Sequence, residues 1–541
     1  MALSVHRGEC SVMRQRETRG GTSWLAAAAG AVMALASVSH SASAQGVVRA
    51  DDVRVASEQE RYLRALSLFM PVASWSSRPI AGELALRSLA SVDGPWALDT
   101  TTRRDGLRVH GASVDAIFNG GLPSYTADGP AWSGRGMNLR ASGTLLYERG
   151  RLRVTVAPVA WTAQNRGFDL LPNTGLFPWS DAARPGNIDL PQRFGDGAST
   201  RLDAGESTLE LRGNHVRVAL TSAAAHLGPG SDHSLLMQGN AGGIPRLELG
   251  TPGALRTRAG TFTGQVAWGR TPHTAWAPEH PNEALFTSYV MGTWRPSFVD
   301  RIEIGMLRLT HRAWERMSLR ELFVPFGSVY SSKWIGGSYE TENDNQLATV
   351  FAHLRVPEAG LEFFGEFGKN DRSSGWRDQL LEPDHNSAWL VGGQKAWRGD
   401  HGRLWALNLT TVSGSISPIT RFRGQDIFYE HSRMTQGHTL RGQLLGTPLL
   451  QREGGAELRL DRYDARGRVG LLLGTRSLPN EIAESVPPAE VRQEWTAMID
   501  LLRWTRRGAV RARVGGVADL GYSPVKGDVY SLHLALGYDL R

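Results

Sequence analysis

The chain has 541 residues and a single cysteine, Cys10. That cysteine lies in a segment laid out like an export signal. Arg7, Arg14, Arg16 and Arg19 form a basic start, Trp24 to Leu35 an apolar core, and Ala42-Ser43-Ala44 a site of small residues suited to cleavage. Loss of residues 1–44 would leave a chain without a thiol, which excludes disulfides, thiolate metal sites and cysteine nucleophiles. Long apolar runs are missing too. The core of the signal is shorter than the roughly 20 residues of a spanning helix, and beyond Ala44 charges, Gly or Pro interrupt every apolar stretch. An exported chain without staples or spanning helices must be stabilised in another way.

Catalytic signatures are absent as well. There is no Gly-x-Ser-x-Gly elbow, no His-Glu-x-x-His helix and no P-loop. Asp232-His233-Ser234 sets three triad residue types side by side, but neighbours on a chain rarely converge in triad geometry, so this reads as loop composition. The 15 histidines show no ligand spacing, so neither a metal nor another cofactor is expected, and a binding role is expected over an enzymatic one. The formal charge of +7 falls by two when the four arginines and two glutamates of residues 1–44 are removed. So small an excess fits an anionic polysaccharide or lipid head groups and does not point to nucleic acid.

What the chain has in excess is glycine, 62 residues, well above the usual roughly 7% and without collagen periodicity. The glycines punctuate a period-two pattern that runs from about Gly106 onward. Leu152, Val154 and Val156 alternate with Arg151, Arg153 and Thr155. Leu209 and Leu211 face Val216, Val218 and Leu220 across Gly213-Asn214, with Glu210, Arg212 and Arg217 on the other face. Ile302 and Ile304 flank Glu303, and Tyr530, Leu532, Leu534, Leu536, Tyr538 and Leu540 share one face of a last strand. Such alternation puts grease on one side of each strand and polar groups on the other. A soluble sandwich or propeller would also alternate. The export signal, the lack of helical segments and the long final strand favour a large antiparallel transmembrane β-barrel of about 16–18 strands, an all-β membrane protein. Tryptophans scattered near strand ends, such as Trp268, Trp294, Trp389 and Trp397, suit the girdles of such a barrel. Residues 45–105 differ. Ser57 and Glu60 form a capping box ahead of Tyr62, Leu63, Leu66 and Phe69, and Pro79 opens a second helical pattern with Ile80, Leu84 and Leu89. The expected order is a signal at 1–44, a small helical plug at 45–105 and a barrel at 106–541.

Several ordered stretches resemble the capsule assembly Wzi family. The first contains Gly228-Pro229-Gly230, then Asn240-Ala241 and Pro245. The second starts at Glu342-Asn343-Asp344-Asn345-Gln346-Leu347 and continues through Glu366 to Asp371. Asp384-His385 precedes another strand. Tyr429-Glu430-His431 is followed by Gly437 to Gln443, with Arg441 in it, and by Gly446. In place of the family's aromatic residues before the Gly-Pro-Gly turn, this chain has His226-Leu227. The resemblance implies a monomeric barrel in the bacterial outer membrane, embedded in its lipid, whose mouth toward the periplasm is closed by the N-terminal helices. It implies binding of surface or capsular polysaccharide in capsule assembly, with Asn345, Glu366, Asp371, His431, Arg441 and Gln443 as candidate sugar-binding groups. An acidic polymer would give the arginine a carboxylate partner. The alternative is a passive, porin-like channel of the same architecture.

Overall fold

The computed structural model describes residues 48–49, 53–69, 74, 76–78, 96, 98–99, 105–124, 129–171, 179, 188–276, 284–314, 319–326, 344–370, 386–415, 428–431, 434–451, 453–478, 492–523 and 527–540. The export segment, the helical pattern after Pro79 and Asp371 lie outside them.

Among the described residues, 18 strands pair antiparallel with their neighbours and close into one barrel. Closure is made by Gly527–Leu540 against Gly106–Asn119, with Leu540 opposite Ala112 and His533 opposite Asn119. Tight turns such as 150–151 and 465–466 gather at one end, and the long connections gather at the other. The first strand needs a bulge to fit its neighbours. Its register shifts between Val109 and Ala112, where Gly111 has φ +110° and a Cβ would lie 2.7 Å from the Leu540 carbonyl oxygen.

Strand parity sorts the side chains as the alternation implied. Leu209, Leu211, Val216 and Leu220 are exposed, while Glu210 and Arg217 are buried. In the last strand Tyr530, Leu532, Leu534, Leu536 and Tyr538 are exposed, and Ser531 and His533 are buried. Rows of exposed leucine around a closed barrel meet hydrocarbon, because water would penalise them and lipid does not. Trp389 and Trp397 are both exposed on Ser387–Arg398, eight positions apart, about 26 Å along the strand, which brackets an apolar belt of membrane height. Leu536→Arg is expected to destabilise the folded barrel by about 2–4 kcal/mol, measured by urea unfolding in lipid vesicles. A neutral effect would mean that this face is wet.

The lumen is packed on one side. Segments 222–245 and 428–451 fold inward and lay Leu227, Leu235, Leu236, Met237, Tyr429, Leu445 and Leu450 against Tyr289, Leu307, Leu309, Phe351, Phe364 and Leu390 of the wall. The two segments also bond to each other. The Tyr429 hydroxyl donates to the Leu235 carbonyl at 2.6 Å, Gln238 N–H to Leu445 at 3.0 Å and Asn240 Nδ2 to Leu444 at 3.0 Å. Their backbone polar groups are thereby satisfied away from water.

Helix α1, Glu58–Ser67, forms where the capping box placed it. Ser57 Oγ accepts from Glu60 N–H at 3.2 Å, but Glu60 reaches back one residue further than the usual box, to Ala56 N–H at 2.6 Å. Tyr62 stacks on Trp96 with ring centroids 4.6 Å apart and meets Tyr463 edge-on. The cluster continues into Ala396, Leu404 and Leu502 near the turn-bearing end. The opposite side of α1 is charged. Arg64 donates to the Pro229 carbonyl at 2.6 Å and to Glu362 of the wall at 3.0 Å, and Arg468 pairs with Glu58 at 2.7 Å. Burial alone would raise the Glu58 carboxyl; Arg468 and Arg61 outweigh it and hold the group at about 2.

Candidate functional site

Those of the residues singled out in the sequence that the structure describes lie at three levels of the lumen. The deepest is the Gly228-Pro229-Gly230 turn, where loop, wall and helix meet. A Cβ on Gly228 would lie 2.2 Å from Glu366 Oε1, and one on Gly230 would lie 2.1 Å from the His233 carbonyl oxygen. Gly228 N–H donates to Ser76 at 2.8 Å. Glu366 Oε2 accepts from Leu235 N–H at 2.9 Å, so this buried carboxyl group ties the inward loop to the strand Leu361–Asn370. Pro245 ends the loop and its carbonyl accepts from Arg270 N–H at 3.0 Å as the next strand begins.

The middle level is a histidine relay. His438 Nε2 lies 2.6 Å from the Leu236 carbonyl oxygen, so it carries the proton, and Nδ1 accepts from His311 Nε2 at 2.9 Å. His311 Nδ1 then accepts from the Thr287 hydroxyl at 2.8 Å. Asn345 is paired in register with His311 and is fully buried. His431 Nδ1 accepts from Met434 N–H at 2.9 Å, and Asn370 donates to the Glu430 carbonyl at 3.0 Å. These groups fix the inward loop. Burial lowers the His438 imidazole from 6.5 to about 4. Once released from its seat, the loop would take up a proton below pH 6.5; in its seat it does so only near pH 4. The seat is therefore intact above pH 6.5 and weakens as pH falls toward 4, by about 3 kcal/mol over the whole window. Amide exchange in residues 434–450, corrected for intrinsic rates, should be faster at pH 4.5 than at pH 7.5; equal protection would contradict this.

The third level lies toward the long connections. Leu440 pairs with Gln443, and Arg441-Gly442 makes the two-residue turn between them, with φ +52° and +78°. Positive φ at both positions is the pattern of a type I′ turn, where asparagine-glycine is the common choice. An arginine there costs of order 1 kcal/mol, so the side chain has a use. It pairs with Asp203, and Arg201, two residues earlier, sits 5.6 Å from the ring of Trp161. Burial and the nearby Arg201 lower the Arg441 guanidinium from its ordinary value. Asp189 accepts from Thr274 N–H at 2.7 Å, and burial raises its carboxyl. Gln443 Nε2 donates to the Gly129 carbonyl at 3.4 Å. Arg201 and Asp203 had not been picked out from the sequence. Their signal was present, because Leu202 between them faces outward and parity alone sends both charges inward.

Beside the packed half of the lumen runs a cavity of about 360 Å³. Arg459, Arg468, Arg476, Arg492, Arg511 and Arg513 line it. Each of the six stands within ion-pair distance of a carboxylate, for example Arg476 with Glu494 at 2.7 Å and Arg513 with Asp500 at 2.6 Å. No cluster of metal-ligating side chains occurs among the described residues.

Compared with solved structures, the chain is similar to Wzi from Escherichia coli, an outer-membrane protein involved in group 1 capsule assembly and described as a carbohydrate-binding β-barrel. Identity is 12%, the match covers 90% of this chain and 98% of that one, and the TM-score is 0.58. OccK2 (OpdF) from Pseudomonas aeruginosa matches 80% of this chain and 97% of its own at 12% identity and a TM-score of 0.40. No family model and no curated protein matches the sequence. The fold is thus that of the capsule-assembly barrel the motifs resembled, and the protein is a β-barrel of the bacterial outer membrane.

Proposed function

We propose that this barrel binds an acidic surface polysaccharide of the capsular kind at its loop-bearing mouth and helps to hold that layer on the cell. It acts as a binder and carries out no catalysis. The observation that supports this reading best is the packed lumen. Two inward segments with a shared apolar core are a wasteful way to build a conduit and a good way to hold loops rigid for recognition. In this reading residues 1–44 are removed on export, residues 45–105 plug the periplasmic mouth and residues 106–541 form the barrel, which acts as a monomer.

Arg441 and Gln443 are the groups that meet polymer, the first through carboxylates and the second through hydroxyls. Asn345, Glu366 and His431 position the loops beneath them, as do Gly228, Pro229, Gly230, Asn240 and Pro245. Asp371, next in sequence after Asn370, completes the candidate set. A channel reading draws on the charged cavity along the last strands, but its arginines are already matched by carboxylates, which leaves little field to drive anions through.

Cells lacking the protein should still make polymer but shed it into the medium. Arg441→Ala should weaken binding of the purified barrel to that polymer about tenfold or more while leaving the heat-modifiable gel shift of the folded barrel unchanged. Retention of the full layer in the deletion strain would defeat the proposal.

A further inference from the structure

Near the loop-bearing end, the outer wall contains side chains that point outward and yet are covered. Strand parity on Leu285–Pro296 and Ile302–Ala313 sends Phe286, Ser288, Arg308 and Thr310 away from the lumen, since Tyr289, Leu307 and Leu309 between them belong to the inner core. Their exposures are nevertheless 2%, 1%, 5% and 1%, whereas Met306 and Ile304, further along the same outward face, are 48% and 41% exposed. The cover is Trp314, 6.2 Å from the Phe286 ring, together with the short 3-10 segment Leu319–Phe326.

The segment is turned with its carbonyls to the wall. The Trp268 indole N–H donates to Leu322 O at 3.1 Å. Arg308 donates to Val324 O at 3.3 Å and Pro325 O at 3.4 Å, as well as to Gln346 at 2.9 Å. Its apolar side chains face the other way, with Leu319 82%, Phe323 71% and Phe326 61% exposed. The surface they make is continuous with the lipid-facing belt. Arg308 is paired with Ala348, one outward step beyond the row Met306, Val350, Phe367 and Trp389.

An arginine, a serine and a threonine on an outward face need no cover where water can reach them. In hydrocarbon each unsatisfied group is expensive. A segment that gives carbonyls to Arg308 and Trp268, lies over Ser288 and Thr310, and turns leucine and phenylalanine outward separates this polar strip from hydrocarbon. We infer that Leu319–Phe326 is a membrane clasp. It folds back from its loop over the outside of the barrel, seals the polar strip around Arg308, and inserts Leu319, Phe323 and Phe326 among the lipids of the outer leaflet. The clasp fixes the height of the barrel in the membrane, and so the height of the mouth above it.

The test uses the full-length protein with Cys10→Ser, which removes the one native thiol. Single cysteines at Phe323, and separately at Leu319 in case the first variant folds poorly, carry an environment-sensitive fluorophore in phosphatidylcholine vesicles. Val350→Cys is the lipid-facing reference and Arg507→Cys, in a tight turn, the water-facing one. The labels at 323 and 319 should match that at 350, with emission shifted to the blue, quenched by phosphatidylcholine brominated on its acyl chains and shielded from aqueous iodide. Quenching by iodide to the extent seen at 507, with no effect of brominated lipid, would overturn the inference and leave this patch as a surface for a protein partner.

Discussion

Replacing Gly446 with leucine is expected to turn a quiet barrel into a conducting one. A Cβ at this position would lie 2.1 Å from the Leu235 carbonyl oxygen and 2.5 Å from the Tyr429 hydroxyl, the two atoms whose hydrogen bond joins the inward segments. Neither can yield by a rotamer change, because one is backbone and the other is held in the core. The side chain therefore overpacks the junction by about 1–3 kcal/mol and forces one segment from its seat. The wall does not depend on that seat, since its ladder closes through the strands themselves. In planar bilayers the unmodified protein should give few and small current steps and the Gly446→Leu protein frequent large ones. Equal traces from two well-folded samples would mean that the packed segments do not set the permeability.

Arg64→Ala should have the largest effect on stability. The guanidinium is fully buried between the Pro229 carbonyl and Glu362, and Glu362 in turn receives His353 Nε2 at 3.0 Å. Removing the arginine leaves a buried carboxylate with one partner fewer, at about 3–5 kcal/mol. It also cuts a link that joins α1, the Gly-Pro-Gly turn and the wall. Protease cleavage within residues 53–69 should then appear under conditions where the parent is resistant. Arg64→Met, which keeps the volume and removes the charge, should be nearly as damaging, because the loss is electrostatic and not steric. Resistance equal to that of the parent would show that the Tyr62 and Trp96 packing and the Glu58–Arg468 pair are enough to hold α1.

Much of the wall could be read directly in the chain, for a physical reason. Lipid tolerates no charge, so Leu532, Leu534 and Leu536 had to alternate with Ser531, His533 and Ala535, and the period survives in the residues themselves. The start of α1 was legible because Ser57 caps through local chemistry. The filling of the lumen was not. Leu235-Leu236-Met237 and Leu449-Leu450 are buried in the core with no exposed face between them, so they carry no period and look like any short apolar run. The candidate site divides along the same line. Glu366 and His431 are residue types that could hold sugar hydroxyls, and their use as ties for the inward loops depends on the register of Leu361–Asn370 and the path of 428–451. Arg441 stood out by type. Its turn conformation was local, while its pairing with Asp203 joins positions that only barrel closure brings together.

The central claim is that this closed and filled barrel holds an acidic polymer. It is tested most directly by passing surface polysaccharide from the protein's own organism over the immobilised full-length barrel. The account predicts saturable binding that declines as salt rises from low to physiological ionic strength, because screening weakens contacts between arginine and carboxylate at the exposed mouth. Absence of binding to any surface glycan, together with free passage of small solutes through the unmodified barrel, would contradict it.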